Sequence, residues 1–318
     1  MEDIAEAAAY GVAAPSAASS GAVRRPAAAP VAAGAPPGMA AAPAAPAPPM
    51  AGGLAAAAPP SAPRTAPPAE AAPVMGGVLQ KEALGLVEIV PFRGVRRTMA
   101  RHMAESVAKQ AQVTTMDEAD VTIIKRIREK ERTVAAERGV RLTYLAFAIK
   151  ACTAALKRFP RLNAVLKESG EEFVLKRYYN IGIAIDTKSG LVVPNIKAAD
   201  TKSIFEIAAE IVDLVDRAEQ RHLGVDELHG GTFTITNYGA IGGVYATPVI
   251  NYPEVAILGM GRVRELPVVH EGKVLTRLLL PLSLTFDHQL IDGAEAARFL
   301  NLVMSYLEDP DLLLLEGA

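Results

Sequence analysis

The stretch LSLTFDHQLIDGAEAARFL, residues 282–300, decides how this sequence is interpreted. Apolar and polar residues alternate up to Asp287, which is the pattern of a β-strand. His288 follows directly, and an Asp-Gly pair begins at Asp292, four residues after the histidine. Asp292 and Glu295 have the spacing of a helix N-cap and its capping-box partner. The stretch therefore predicts a strand, a turn that carries a histidine, and the start of the last helix.

A histidine in this position has two interpretations. In the first it is an ordinary residue beside a helix cap, which explains Asp292 but leaves His288 without a role. In the second it is a catalytic base, because α/β proteins place reactive side chains where a strand end leads into a helix N-terminus. The pattern alone leaves both interpretations open. The other histidines are expected at the surface or near helix ends: His102, His222, His229 and His270.

A second candidate is Thr236 in TFTITN, where a strand-like run ends before a glycine-rich bend. It is either a β-branched strand residue or a hydroxyl donor held at a rigid strand end beside backbone that a ligand can approach closely. No grouping of His, Cys and carboxylates has metal-ligand spacing, so no metal site is predicted. The glycines of GAIGGV and LGMGRV do not open a helix in a βαβ unit, and a dinucleotide site is only weakly indicated.

Strands and helices are interleaved irregularly, which predicts an α/β fold with a mixed sheet rather than a regular βαβ repeat. Thr143 begins a helix that is apolar nearly all round and therefore buried, and Ser203 caps an amphipathic helix. Further expected elements are a basic helix before residue 110, a strand in 112–121, a helix capped by Thr122 that continues to Gly139, a turn at 186–190 and a hairpin around 271–273. A last helix is expected from Asp292 to about Leu307, with Ala296, Phe299, Leu300, Val303 and Leu307 facing inward.

An Ala/Pro-rich tract precedes these elements. Between residues 11 and 80, 27 residues are Ala and 15 are Pro, and no aromatic residue occurs. Such a segment buries too little apolar surface to offset its ordering entropy, and its prolines favour stiff, extended conformations. We therefore predict a disordered, semi-rigid linker over residues 11–84 and a folded domain over residues 85–318.

Charge and composition exclude several classes of protein. The formal net charge is −2, so the chain as a whole is not attracted to nucleic acid or to an anionic membrane. Outside the Ala/Pro tract, no apolar run reaches the length of about 18 residues that a membrane span needs, and the N-terminus lacks the pattern of a signal peptide. Cys152 is the only cysteine and is expected to be a buried structural thiol. We predict a soluble protein, and the absence of disulfides fits a cytoplasmic location.

The motif FDHQLIDG, residues 286–293, resembles the His-x-x-x-Asp-Gly signature of the dihydrolipoamide acyltransferases, the core subunits of the 2-oxo acid dehydrogenase complexes. The resemblance is greatest to the pyruvate-type subunits of Gram-positive bacteria. It implies a two-layer fold like that of chloramphenicol acetyltransferase, which shares the signature. Further blocks are similar to the family in the same order: RGVRRTMARHM, VTTMDEADVT, YYNIGIAIDTKSGLVVPNIK, FTITNYGAIGG, TPVINYPEVAILGMGR and LEDPDLLLLEG.

The resemblance implies a reaction and the residues that perform it. The family moves an acyl group between the thiols of dihydrolipoamide and coenzyme A. Coenzyme A is then the co-substrate, and the lipoyl group is carried on a lipoyl domain that is not present in this chain. His288 matches the family's general base, and Thr236 matches the hydroxyl residue that donates a hydrogen bond to the oxyanion. Asp292 is expected to fix the loop and the imidazole while it caps the helix.

The resemblance also implies an assembly. Subunits of this family form homotrimers in which the histidine comes from one chain and the hydroxyl residue from its neighbour, and the trimers build a cubic core of 24 subunits or a dodecahedral core of 60. The implied partners are a 2-oxo acid decarboxylase, dihydrolipoamide dehydrogenase and a lipoyl domain, with no nucleic acid and no membrane. Residues 1–10 resemble the end of a peripheral-subunit-binding domain.

One position departs from the family. Gln289 stands where the family usually has an arginine directly after the histidine, so the anchoring of the turn is expected to differ. Three alternatives remain open: branched-chain or succinyl specificity, a non-catalytic scaffold subunit, and a free-standing small-molecule acetyltransferase. The presence of His288, Asp292 and Thr236 argues against the scaffold, and the long linker argues against the free-standing enzyme.

Overall fold

A computed structural model describes residues 77–188 and 190–315 of the chain. Residues 1–10, interpreted as a subunit-binding remnant, and most of the predicted linker lie outside the described residues. The end of that linker segment contains strand β1 (Val78–Glu82), which pairs antiparallel with β2 (Gly85–Ile89). Regular structure therefore begins before the predicted boundary at residue 85, because the Ala/Pro composition has already given way to the strand-forming sequence VLQKE.

The other strands are β3 Gln112–Asp120, β4 Ala164–Leu166, β5 Phe173–Leu175, β6 Ile181–Thr187, β7 Gly190–Val192, β8 Asn195–Ile196, β9 Phe233–Asn237, β10 Ala256–Met260, β11 Arg264–His270 and β12 Lys273–Asp287. The helices are α1 Gly94–Lys109, α2 Thr122–Lys130, α3 Arg132–Glu137, α4 Tyr144–Arg158, α5 Ile204–Glu219, α6 Val225–Leu228, α7 Gly293–Glu308 and α8 Asp311–Leu315. Within the described ranges, no helix combines the length and the apolarity needed to cross a bilayer.

The main sheet has eight strands and is mixed, which confirms the predicted α/β class. β9 runs parallel to both of its neighbours, β6 and β10, and the remaining pairings are antiparallel. The long strand β12 joins the hairpin strand β11 to the rest of this sheet. β11 pairs with the first half of β12 in a hairpin, while β3 and β10 flank its second half.

Helices cover one face of the sheet. α4 contacts both α5 and α7, and its residues 145–156 are all buried, as its apolar sequence predicts. Phe299 of α7 is fully buried, and its ring meets that of Phe159 edge-on with the centroids 6.0 Å apart. The alternate residues of β12 that join this core are apolar: Leu280, Leu282, Leu284 and Phe286.

The opposite face of the same strand is also buried, but it is polar. Ser283, Thr285 and Asp287 alternate with the core residues, and none is more than 2 % exposed. The Ser283 hydroxyl lies 2.9 Å from the Tyr238 hydroxyl, and the Thr285 hydroxyl lies 2.8 Å from that of Thr114. Because an unpaired buried polar group is costly, each residue on this face needs a specific partner.

The caps of α5 and α7 agree with the sequence pattern. The Ser203 hydroxyl accepts the Glu206 N–H, and the Glu206 carboxylate accepts the Ser203 N–H, which completes a capping box. Asp292 caps α7 through the Glu295 N–H. The residues of α7 expected to face inward are buried: Ala296, Phe299, Leu300, Val303 and Leu307.

The segment after β3 differs from the prediction. The backbone turns at Glu131, so the single helix expected from Thr122 to Gly139 is divided into α2 and α3. Thr122 is not the cap of α2. Its N–H and its hydroxyl both donate to Asp120, and the same hydroxyl accepts the Leu278 N–H of β12. The side chain expected to cap the helix therefore joins α2 to the sheet.

Replacing Phe299 by alanine is expected to lower the free energy of unfolding by about 3–5 kcal/mol, because the fully buried ring leaves a cavity that the core closes only partly. Urea unfolding at a fixed protein concentration measures the difference. Asn301→Ala, on the exposed side of α7, is the control and is expected to change the free energy by less than about 0.5 kcal/mol. Similar losses in the two variants would contradict the packing described for α7.

Candidate active site

His288 is the first residue after β12 and lies in the turn that leads to α7. Its side chain is exposed, and its backbone N–H donates to the Ala111 carbonyl at 2.8 Å. The imidazole tilts against the Phe286 ring, with centroids 5.8 Å apart and an interplanar angle of 35°. Among the described residues, the His288 imidazole has no hydrogen-bond partner. The imidazole is therefore accessible, on a backbone that is held in place, which suits a group that must exchange a proton with a ligand.

Asp287 is the residue that holds this turn, and it was not among the predicted site residues. It is 1 % exposed, and its Oδ1 accepts the N–H groups of Ala111 and Gln289, each at 3.1 Å. Its own N–H donates to the Val255 carbonyl at 2.9 Å. The available signal was the alternation in β12, which places Asp287 on the same face as Ser283 and thereby indicates a buried carboxylate.

Gln289 anchors the turn in place of the arginine that is usual in the family. Its Nε2 donates to the Lys109 carbonyl at 2.8 Å and to Asp287 Oδ1 at 3.2 Å. The anchoring of the turn was expected to differ because of this residue. In this chain a neutral amide joins the end of α1 to the carboxylate that precedes the histidine.

Asp292 serves the helix rather than the histidine within this single chain. Its Oδ1 accepts the Glu295 N–H at 2.8 Å, and this backbone hydrogen bond lowers the pKa of the exposed Asp292 carboxyl. The Glu295 carboxylate does not return the bond but meets Arg161 at 3.3 Å. Among the described residues, no hydrogen bond joins Asp292 to His288. The fixing of the imidazole by Asp292 stays a prediction.

Thr236 lies near the end of β9 and is half-buried. Phe233 and Ile235 of this strand join the apolar core, so the alternation places Thr236 on the polar face of the sheet. Its neighbours across the sheet are Ala184 on β6 and Gly259 on β10. The Tyr238 ring occupies the space that a side chain at Gly259 would need. The Thr236 hydroxyl has no hydrogen-bond partner among the described residues.

The sheet register separates the two candidate residues. Thr236 is opposite Gly259, and Gly259 is opposite Ser283, so two strand spacings lie between Thr236 and β12. His288 follows Ser283 by five residues. With about 4.8 Å between strands and about 3.4 Å per residue, the Cα atoms of Thr236 and His288 are roughly 20 Å apart. One chain therefore does not bring both side chains to the same reacting group.

A cavity of about 370 Å³ opens beside the histidine turn. Asp287 and Gln289, the residues on either side of His288, are part of its lining, together with the cation of Lys109 and the ring of Tyr252. The Lys109 ammonium group lies 4.7 Å from the centre of the Tyr252 ring. The cavity therefore offers a ligand an apolar surface next to the turn, and the charge of Lys109 there is paired with Glu105 and Glu168.

Glu254 is a buried carboxyl group behind this turn. Burial raises its pKa from 4.5 to about 7, although Thr234, Asn251 and the charge of Lys176 each oppose the shift. The Thr234 hydroxyl donates to Oε2 at 2.6 Å, and the Asn251 amide reaches Oε1 at 3.3 Å. The Glu254 carbonyl accepts from Gln110, one residue before Ala111. Glu254 is therefore connected, through Gln110 and Ala111, to the backbone of His288.

Two other groups do not contribute chemistry. Cys152 is fully buried in α4, and burial raises the pKa of its thiol well above the ordinary range, so it is not an effective nucleophile. Among the described residues, no group of three or more His, Cys, Asp and Glu side chains is arranged to hold a metal ion.

Comparisons with known proteins agree with one another. The family model of the 2-oxoacid dehydrogenases acyltransferase (catalytic domain) matches residues 85–315. The dihydrolipoyllysine-residue acetyltransferase component of the pyruvate dehydrogenase complex of Bacillus subtilis is 47 % identical over 224 residues, which are 70 % of this chain and 51 % of that protein. This chain thus spans about half the length of the curated relatives that it matches.

Solved structures show the same relationship. The dihydrolipoamide acetyltransferase of Azotobacter vinelandii, studied for the role of a serine, a histidine and an asparagine in its catalytic mechanism, is 41 % identical with a TM-score of 0.71. The match covers 72 % of this chain and 95 % of that one. The cubic core of a pyruvate dehydrogenase multienzyme complex is 40 % identical over the same shares, also with a TM-score of 0.71.

Glu254→Gln tests the protonated carboxyl group. Between pH 4.5 and about 7 the folded protein keeps a proton that the unfolded chain has lost, so this site makes wild-type stability fall as pH rises. Glutamine does not titrate. The stability of Glu254→Gln relative to wild type is therefore expected to increase by up to about 3 kcal/mol from pH 5 to pH 8.

Urea unfolding across this pH range provides the measurement, with the exposed Glu265→Gln as the control. The stability of the control is expected to follow the wild-type curve at every pH. A constant difference between Glu254→Gln and wild type would show that Glu254 is ionised throughout.

Proposed function

The chain belongs to the acyltransferase family of the 2-oxoacid dehydrogenases, through the catalytic domain of that family, and on this premise we propose that it transfers an acyl group between dihydrolipoamide and coenzyme A. The observation that carries the proposal is the accessible imidazole of His288, held by the Ala111 carbonyl at the end of the buried second half of β12. Within the proposal, His288 is the general base, Thr236 the oxyanion donor, and coenzyme A the co-substrate.

The spacing of the candidate residues supports this assignment. In the Azotobacter vinelandii enzyme the investigated serine precedes the histidine by 52 residues, and the asparagine follows the histidine by four. Thr236 precedes His288 by 52 residues, and Asp292 follows it by four. Threonine retains the hydroxyl of serine, and aspartate retains an oxygen that accepts hydrogen bonds. The order and the separation of the three positions thus agree.

The proposed reaction starts at the thiol. An unperturbed thiol has a pKa of about 8.5 and is only slightly ionised near neutral pH, so a base is needed to generate the attacking thiolate. The His288 imidazole takes the proton from the thiol, and the sulfur forms a bond to the carbonyl carbon of the acyl thioester. The bond from carbon to the other sulfur then breaks, and that thiolate recovers the proton from His288. No acyl-enzyme forms.

The tetrahedral intermediate carries a negative oxygen, and the Thr236 hydroxyl is proposed to donate a hydrogen bond to it. Loss of one such donor typically costs about 3–4 kcal/mol of transition-state stabilisation. The Thr236 hydroxyl suits this role because it faces the polar side of the sheet and has no hydrogen-bond partner among the described residues. It is therefore available to bond to a ligand.

The complete site is proposed to lie between two chains. A separation of roughly 20 Å between His288 and Thr236 in one chain excludes their joint action there, because both must reach the same reacting centre. A homotrimer with His288 from one chain and Thr236 from the next solves this problem. The proposal extends to the assembly of such trimers into a 24- or 60-subunit core, served by a lipoyl domain, a 2-oxo acid decarboxylase and dihydrolipoamide dehydrogenase, as the family resemblance implies.

The proposed acyl group is acetyl. The relatives from Bacillus subtilis and Staphylococcus aureus are acetyltransferase components of pyruvate dehydrogenase complexes. Branched-chain or succinyl specificity, and a non-catalytic scaffold, are the outcomes against which the assay is designed. Transfer rates with acetyl-, isobutyryl- and succinyl-coenzyme A and free dihydrolipoamide distinguish them, since a scaffold transfers none of the three.

His288→Ala is expected to lower kcat for acetyl transfer at least 100-fold, because general-base catalysis is worth about 10²–10⁴ in rate. The assay follows thioester formation on dihydrolipoamide. His270→Ala removes an exposed histidine at the end of β11 and serves as the matched control with unchanged turnover. Equal rates for His288→Ala and wild type would eliminate the general-base assignment.

Co-expression of His288→Ala and Thr236→Ala chains tests the shared site. In a mixed trimer, an interface that receives the intact histidine from one variant and the intact threonine from the other is complete. Random association of equal amounts is expected to restore about a quarter of the wild-type activity. Each variant expressed alone is the control and stays low. No recovery in verified mixed assemblies would place both groups in one chain or remove one of them from the site.

A further inference from the structure

Ala111 is hydrogen-bonded both to His288 and to Asp287, the residue before it. The Ala111 N–H donates to Asp287 Oδ1 at 3.1 Å, and the Ala111 carbonyl accepts the His288 N–H at 2.8 Å. Ala111 follows the C-cap of α1, so these hydrogen bonds join the end of that helix to the end of β12. Asp287 and His288 are thus both hydrogen-bonded to Ala111, one through its N–H and the other through its carbonyl.

The same carboxylate also fixes the far side of the histidine. Asp287 Oδ1 accepts the Gln289 N–H at 3.1 Å and its Nε2 at 3.2 Å. The Asp287 carbonyl accepts from Leu290 and Ile291, at 3.1 and 3.0 Å. Residues before and after His288 are therefore bonded to one buried group, which leaves the Cα–Cβ direction of His288 little freedom.

Within one chain, the hydrogen bonds of Asp292 are made to α7. Its carboxylate is exposed and directed at the N–H groups of the first turn of α7. Asp287, by contrast, is 1 % exposed. Its Oδ1 accepts three hydrogen bonds, from the Ala111 N–H, the Gln289 N–H and the Gln289 side-chain amide. Burial of a carboxylate is costly unless it is hydrogen-bonded, so the bonds to Asp287 and the geometry of the turn depend on each other.

We propose that Asp287 is the positioning residue for the His288 base and that Gln289 is its second anchor. The inference rests on the proposed acyl transfer and goes beyond it. The arginine usual after the histidine is not needed in this chain, because the Gln289 amide connects the Asp287 carboxylate to the Lys109 carbonyl. Asp287 acts through the backbone of His288 and does not touch the substrate.

The decisive variant is Asp287→Ala, studied with and without His288→Ala. A misplacement of about 1 Å at a reacting group costs up to about 100-fold in rate. Asp287→Ala is therefore expected to lower kcat roughly 10–100-fold, with the KM for coenzyme A within about twofold of wild type. In the His288→Ala background the same change is expected to lower kcat less than about twofold, because the base that it positions is absent.

Asp287→Asn is the conservative variant, because its remaining carbonyl oxygen accepts the bonds that Oδ1 accepts now. It is expected to restore kcat to within about threefold of wild type. Asp120→Ala is the matched control. Asp120 is also an aspartate at the end of a strand that accepts a backbone N–H, at 2.9 Å from Thr122, but it lies opposite Leu279 at the other end of the pairing between β3 and β12. Its turnover is expected to stay within about twofold of wild type.

Three results would overturn the proposal: equal losses from Asp287→Ala in both backgrounds, a loss in KM rather than in kcat, or an equal loss from Asp120→Ala. If Asp287→Ala does not fold, the same kcat comparison with Gln289→Ala tests the proposal. Gln289 is exposed, and its loss is expected to lower kcat about 3–10-fold only where His288 is present.

A structure of Asp287→Ala, or of Gln289→Ala if the former does not fold, gives a readout independent of activity. The turn 288–291 is expected to move by about 1 Å or more while the rest of β12 stays in place. An unmoved turn would refute the positioning role even in an active enzyme. A moved turn in the variant, together with a wild-type protein that transfers no acyl group, would instead support the positioning of the turn and refute the proposed function.

Discussion

The structure depends on the burial of both faces of the second half of β12. Residues 280–287 are all buried, and the strand is bonded to β3 on one side and to β10 on the other. Its apolar face is stabilised by the helical layer. Its polar face has no bulk water, so each hydroxyl or carboxylate there must find a protein partner. Tyr238, Thr114 and Ala111 are those partners, and they connect three otherwise separate segments to the sheet.

This constraint also explains why the two aspartates of the histidine motif differ. Asp287 ends the buried strand, where its carboxylate is enclosed and must accept several hydrogen bonds. Asp292 lies beyond the turn, where the unpaired N–H groups of a helix N-terminus attract an exposed carboxylate. The two aspartates thus have separate roles: Asp287 holds the turn around His288, and Asp292 starts the helix that follows. His288, between them, keeps its ring free.

A rigid sheet also explains why the proposed site needs a second chain. Strand spacing and register fix Thr236 and His288 toward opposite ends of the sheet, and no side-chain rotation closes a gap of roughly 20 Å. Thr236 lies near the end of β9, and His288 directly follows β12. Both strands are well packed there, so small movements of either residue are costly. A neighbouring chain that brings its own Thr236 to this His288 would combine two precisely held groups without strain in either chain.

The sequence by itself determined the local features: the alternation in β12, the caps at Ser203 and Asp292, the buried helix α4, and the resemblance to the acyltransferase family. These follow from periodicity and from neighbours a few residues apart. Only the tertiary structure decided which group anchors the base, because Asp287 meets Ala111 across 176 residues of sequence. It likewise decided that Thr122 joins the sheet instead of capping α2, and that burial of Glu254 raises its pKa to about 7. Such contacts are set by strand register and enclosure, which no local pattern encodes.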